Sequence, residues 1–241
     1  MMSSKVNKRN TRREHVLNAE TPFAVTEAYK STRTSLIFAN TEEGCNIIAF
    51  TSSAPGEGKT ITCINMAITL AESGKRVLVI DSDMRKPQVA ASLKLSSVPG
   101  LSELLAGVID MNLSADCCRQ KTQYRNLDII AAGAIPPNPA ELIACPRTAK
   151  LFEKFSKEYD YILIDTPPCL VVTDALLYKD YVMGYVAVIR ANRSRTDTTE
   201  RLVERFNQIN ARLIGFILND RVHKEKSYKR YNQYNAYKEY K

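Results

Sequence analysis

Two five-residue runs, Val77-Leu78-Val79-Ile80-Asp81 and Tyr161-Ile162-Leu163-Ile164-Asp165, are apolar at every position until a terminal aspartate. A strand with one face in water alternates apolar and polar residues; a strand without alternation must be covered on both faces, as in a parallel sheet packed between helices. The rest of the chain supplies such a sheet. Short apolar runs at 46–51, 127–131, 186–190 and 213–219 read as further strands. Segments at 21–40, 59–73, 147–158 and 196–210 read as helices, with a shorter one at 100–107. Thr21-Pro22 reads as an N-cap and first helical position, and Gly74 as the residue that ends the second helix. Residues 134–139 read as a proline-rich loop. Alternation of strand and helix predicts an α/β fold with a mainly parallel sheet and helices on both faces.

Composition narrows the functional classes. The 241 residues suit one α/β domain with short appendages. No apolar run approaches the length of a membrane span, and the basic start is not followed by the apolar stretch of a signal peptide, so a cytoplasmic location is expected. The net charge of +8 is uneven: residues 1–15 carry +4, residues 221–241 carry +5, and the body between them sums to −1. Basic ends on a near-neutral body argue against a nucleic-acid-binding face on the folded core. Cys45, Cys63, Cys117, Cys118, Cys145 and Cys169 contain no C-x-x-C pair or zinc spacing, and reduced, mostly buried thiols are expected. The expected division is a flexible basic segment at 1–20, one domain at 21–220 with a candidate oligomerisation helix at 21–40, and a mobile tail at 221–241.

Between the strand at 46–51 and the following helix lies Ser53-Ala54-Pro55-Gly56-Glu57-Gly58-Lys59-Thr60. Such a loop turns its backbone N–H groups toward phosphate oxygens, and the helix N-terminus adds a favourable dipole. Lys59 would neutralise the β- and γ-phosphates, and the Thr60 hydroxyl would ligate Mg²⁺. Ser53 stands where the strict motif has glycine. The aspartates ending the two buried strands, Asp81 and Asp165, lie where carboxyl ends of parallel strands face a nucleotide crevice. Asp83 comes two residues later and shares the direction of Asp81 if strand geometry continues. One carboxylate would then serve Mg²⁺ and another the proton of an attacking hydroxyl. The expected ligands are ATP and Mg²⁺, held by Ser53, Gly56, Glu57, Gly58, Lys59 and Thr60, with a metal contact from Thr60. The fold expected from this site is P-loop NTPase-like.

The C-terminal segment is unlike the rest. Tyr228, Tyr231, Tyr234, Tyr237 and Tyr240 recur every third residue. On an α-helix, steps of three drift by roughly 60° each, so these rings would wrap around the helix and not line one buried face. An extended tail of phosphoacceptors is the expectation. Each phosphotyrosine adds roughly 1.5–2 negative charges, enough to reverse the sign of the segment.

Together, the loop A-P-G-E-G-K-T (54–60), the run V-L-V-I-D-S-D-M-R (77–85), the strand I-L-I-D-T-P-P (162–168), the loop P-P-N-P-A-E-L-I (136–143) and the tyrosine cluster resemble the bacterial tyrosine kinases that accompany capsule or exopolysaccharide synthesis. The resemblance covers nearly the whole chain. It implies that Lys59 and Thr60 hold phosphate and metal, that Asp81 and Asp165 organise the metal, and that Asp81 or Asp83 serves the tyrosine hydroxyl. It implies an adenine contact at Asn219. A Glu-x-x-Arg-x-x-Arg stripe joins that family's subunits into rings; here it reads Glu27, Lys30 and Arg33, and lysine lacks the guanidinium fork. The implied partners are a separately encoded, membrane-anchored activator that recruits the chain to the inner membrane face, protein substrates of polysaccharide synthesis, a cognate tyrosine phosphatase, and further copies in a homo-oligomeric ring. Two other readings compete. One is an ATPase switch of the partitioning or cell-division kind, against which Ala54 (where such loops carry lysine) and the tyrosines speak. The other is a nucleotide-holding regulatory module, against which the three aspartates speak.

Overall fold

The computed structural model describes residues 15–39, 44–110, 115–191 and 193–220. The phosphoacceptor candidates at 228–240 lie outside them. The elements run α1 (Phe23–Phe38), β1 (Asn46–Ser52), α2 (Lys59–Glu72), β2 (Val77–Asp81), α3 (Val89–Leu93), α4 (Leu101–Ala106), β3 (Arg119–Lys121), β4 (Leu127–Ile130), α5 (Pro139–Ile143), α6 (Arg147–Phe155), β5 (Tyr161–Asp165), β6 (Gly184–Arg190), α7 (Thr196–Gln208) and β7 (Leu213–Asn219). Short 3₁₀ turns occupy Ala115–Cys118 and Asp174–Tyr178.

The seven strands form one sheet in the order β3-β4-β2-β5-β1-β6-β7. Every pairing is parallel except β3 with β4. The two-sided core is visible within single strands. In β2, Leu78 and Ile80 join the apolar cluster containing Phe152, Phe155, Leu202 and Phe206. Val77 and Val79 join the opposite cluster, with Ile64, Met66, Ile68 and Leu70 of α2. A side-chain period of two therefore feeds two cores, which is why these strands carry no polar residue before their last position.

α2 crosses the centre of one face and is buried almost all round. It starts after Gly58, whose φ of 90° is left-handed, and ends at Gly74, whose φ is 89°. Gly74 N–H donates to the Ala71 carbonyl and Lys75 N–H to that of Leu70, the bond pair of a Schellman cap.

Several boundaries differ from the expectation. Pro22 occupies the N-cap position of α1, because the Thr21 hydroxyl instead accepts the Asn18 N–H. Residues 15–20 belong to the folded body, which corrects the boundary at 21. Val16 and Leu17 are buried, Leu17 N–H donates to Asn65 Oδ1, and Tyr124 Oη donates to the Leu17 carbonyl. The 134–139 loop gives way at Pro139 to α5, with Asn138 at its N-cap and proline in its first turn. Two short elements, α3 and the antiparallel edge strand β3, have too few residues to show a period. Among the described residues no helix is long and apolar enough to cross a membrane.

Candidate nucleotide and phosphoryl-transfer site

β1, β2 and β5 are the three central strands, and their carboxyl ends meet below the loop that enters α2. Asp81 and Asp165 stand opposite each other in the β2–β5 register. Burying two carboxylates side by side is costly, and Lys59, the first residue of α2, supplies the counter-charge. Its Nζ lies 2.5 Å from Asp165 Oδ1 and 3.9 Å from Asp83 Oδ2. Burial works against the lysine charge, but Asp165 and then Asp83 outweigh it and hold its pKa above 10.5. Thr60 Oγ1 donates to Asp165 Oδ2 at 2.7 Å. Lys59, Thr60 and Asp165 thus form one hydrogen-bonded unit at the strand ends.

Asp81 is fully buried and turned into the segment after it. Its Oδ2 accepts the N–H groups of Gln88 and Val89, and its Oδ1 that of Asp83. Burial, and then the neighbouring Asp165 charge, push its pKa from 3.8 up to about 7. Asp83 lies beyond the end of β2, nearer the surface, and accepts the Lys86 N–H. Burial raises its pKa as well, with Lys59 acting in the opposite sense. Both carboxylates act on Lys59, Asp83 from beyond the end of β2 and Asp81 from its last residue.

The loop itself is braced from within by Glu57. Its buried carboxylate accepts the N–H groups of Ser53 and Ala54 and the Ser53 hydroxyl, and it also accepts the hydroxyl of Ser194. Ser53 thereby supplies a hydroxyl that a glycine in its place would lack. Glu57 faces into the protein, so its part in a phosphate cradle is its backbone N–H. Gly56 and Gly58 have φ of 85° and 90°. A Cβ on Gly58 would fall 1.9 Å from Asn219 Nδ2. Asn219, the last residue of β7, donates from that nitrogen to the Glu57 carbonyl at 3.0 Å. It holds the loop in place.

This donor set suits a nucleoside triphosphate with magnesium. Gly56 and Gly58 give the loop the left-handed turns that a phosphate cradle uses, and the nearby hard ligands are all oxygens. No group of three or more His, Cys, Asp or Glu among the described residues is built to hold a metal alone. Mg²⁺ characteristically takes one or two protein oxygens, completing its shell with phosphates and water.

On the candidate oligomerisation helix, Lys30 Nζ pairs with Glu27 within the chain at 3.0 Å. Arg33 Nη1 donates to the Thr69 carbonyl of α2 at 2.6 Å. Arg33 is thus engaged within the subunit.

Sequence reading missed two braces, Arg190 at the end of β6 and Ser194 in the turn before α7, and a support under the 81–89 segment. In that support Arg85 makes a two-pronged contact to buried Asp174, and Ser82 Oγ meets buried Tyr178 Oη at 2.7 Å. The run Arg190-Ala-Asn-Arg193-Ser194-Arg195, at the end of a strand on the loop side of the sheet, was the available signal.

A family described as "AAA domain" matches residues 45–219. Tyrosine-protein kinase YwqD of Bacillus subtilis is 33% identical over 205 residues, covering 84% of this chain and 85% of its own length. Tyrosine-protein kinase wzc of Salmonella typhimurium is 37% identical over 203 residues, and the chain spans 28% of its length. The solved kinase domain of Escherichia coli tyrosine kinase ETK superposes with a TM-score of 0.77 at 33% identity, covering 83% of this chain and 78% of that one. A septum site-determining protein MinD from Pyrococcus horikoshii, at 24% identity and a TM-score of 0.61, shares the fold.

Proposed function

The chain belongs to the bacterial protein-tyrosine kinase family, and we propose that it transfers the γ-phosphoryl group of ATP to tyrosine hydroxyls, its own Tyr228, Tyr231, Tyr234, Tyr237 and Tyr240 among them. The observation that carries this reading is the meeting of Lys59, Thr60 and Asp165 under the loop with the Asp81–Asp83 pair beside them. That arrangement has a place for phosphate and a separate place for a hydroxyl proton.

The N–H groups around Gly56, Gly58 and Lys59 receive the β-phosphate, with the α2 N-terminus behind them. Lys59 exchanges its contacts with Asp165 and Asp83 for phosphate oxygens, lowering the cost of charge that builds up on transfer. Thr60 and Asp165 are the protein oxygens that would hold Mg²⁺, with Asp81 positioned next to Asp165. When bound, that ion supplies charge neutralisation across the β- and γ-phosphate oxygens. The Asp81–Asp83 pair takes the phenolic proton, and Asp83, the less buried of the two, stands closer to the incoming hydroxyl.

Transfer between subunits is the reading for the tail, in a ring to which Glu27, Lys30 and Arg33 contribute. A membrane-anchored activator, polysaccharide-synthesis proteins as substrates, and a phosphatase that resets the tail complete the proposed setting. The rival ATPase switch has support at the level of the fold alone. The test mixes two proteins: a chain with the five tail tyrosines changed to Phe, and a Lys59→Met chain with its tail intact. Label from γ-labelled ATP should accumulate on the Lys59→Met chain only. Hydrolysis of ATP with neither chain labelled would sink the kinase reading in favour of a switch.

A further inference from the structure

The carbonyl oxygens of a phosphate loop point away from the ligand, and whatever holds them holds the N–H groups in their receiving orientation. Here two of these carbonyls are held by the ends of β6 and β7. Arg190, the last residue of β6, donates from Nη1 to the Gly56 carbonyl at 3.3 Å. Asn219, the last residue of β7, holds the Glu57 carbonyl. Ser194 accepts the Arg190 N–H and donates to the Glu57 carboxylate.

Arg190 has a second engagement. Its Nε lies 2.7 Å and its Nη2 2.6 Å from Asp220 Oδ2. Asp220 has a left-handed φ of 57° and directly precedes the tyrosine-bearing segment. The Ala191 N–H also bonds the Asn219 carbonyl, so backbone and side chains together fasten the end of β7 to the end of β6. One guanidinium therefore touches the phosphate loop with one nitrogen and the root of the 221–241 segment with its other two.

We propose that Arg190 is a positioning residue that joins the phosphate loop to the root of the tyrosine segment, with Asp220 orienting its guanidinium, so that nucleotide occupancy and the seating of Asp220 are coupled. The inference rests on the reading of the loop as a nucleotide site, and it deepens that reading. A part-exposed ion pair contributes little by itself. Its value here is orientational: a planar fork fixed on one edge by a carboxylate presents its remaining nitrogen in a set direction, which a lysine cannot do. Coupling of this kind is reciprocal. Whatever factor Asp220 adds to nucleotide affinity, nucleotide adds to the seating of Asp220.

The test is a double-mutant cycle read by equilibrium binding of a fluorescent ATP analogue with Mg²⁺, using the full chain and Arg190→Ala, Asp220→Ala and the double variant. Each contact is an ordinary hydrogen bond, so Arg190→Ala should weaken binding about three- to tenfold and Asp220→Ala by about threefold. The double variant should bind no more weakly than Arg190→Ala, because Asp220 acts through that residue. Arg190→Lys should fail to restore affinity. At saturating Mg-ATP, tryptic cleavage after Arg221 should slow in the unaltered chain and not in Asp220→Ala. Additive losses, an unchanged Asp220→Ala, or full rescue by lysine would each overturn the proposal. Failure of the unaltered chain to bind nucleotide would instead strike at the loop's identity, which separates the two claims.

Discussion

Replacing Asp81 by asparagine should make the nucleotide-free protein more stable at pH 8 while abolishing its usefulness as a kinase. The carboxylate is fully buried opposite Asp165, and its pKa rises from 3.8 to about 7. Between those two pH values the folded chain keeps a proton that the unfolded chain has released. Native stability therefore falls as pH rises through the window, and the full cost is present above about 7. At ~1.4 kcal/mol per pH unit the cost approaches about 4 kcal/mol at pH 8 and falls to less than about 2 kcal/mol at pH 5. Asparagine keeps an acceptor for the Gln88 and Val89 N–H groups but turns its NH₂ toward the Asp83 N–H, losing that bond at about 1 kcal/mol. The expected net gain is about 3 kcal/mol at pH 8 and under ~1 kcal/mol at pH 5. Urea denaturation at both pH values, without nucleotide or Mg²⁺, measures the difference. A variant less stable than its parent at pH 8, or one with the same gain at both pH values, would refute the assignment of charge burial to Asp81.

The same geometry carries other expectations. Asp83→Asn should slow tyrosine phosphorylation about 100-fold, as loss of a group that takes the phenolic proton requires, and initial rates at saturating Mg-ATP measure it. Gly58→Ala should lower nucleotide affinity at least ~10-fold, and Asn219→Ala in the same chain should not restore it, because a φ of 90° disfavours alanine even once the space is cleared; calorimetric titration with an ATP analogue checks both. Arg85→Ala should cost about 2 kcal/mol in urea denaturation, since it leaves Asp174 buried without its cation, discounted because Arg85 itself is 43% exposed.

Much of the site was legible because its residues obey local rules. The aspartates at the ends of non-alternating strands, the lysine opening α2 and the glycine closing it are each dictated within a few positions of chain. The braces that escaped depend on contacts distant in sequence. Ser194 reaches Glu57 across 137 positions and Arg190 reaches Gly56 across 134, and neither spacing leaves a pattern to read. Asp83 lies beyond the last residue of β2, where strand periodicity no longer applies, and its place beside Lys59 is seen in the fold alone. At the N-terminus, charge marked residues 1–15 as loose, yet Val16 and Leu17 were enough apolar surface to fasten 15–20 to α2. Threonine at 21 suits a cap by propensity, but its hydroxyl accepts the Asn18 N–H in a tighter local turn.

The most direct test of phosphoryl transfer to tyrosine is incubation of the full chain with γ-labelled ATP and Mg²⁺, with and without the cytoplasmic segment of a membrane activator, then residue-level mapping of the label. The account predicts label on Tyr228, Tyr231, Tyr234, Tyr237 and Tyr240, and none on a Lys59→Met chain that circular dichroism shows to be folded. ATP turnover without a labelled tyrosine under either condition would contradict it.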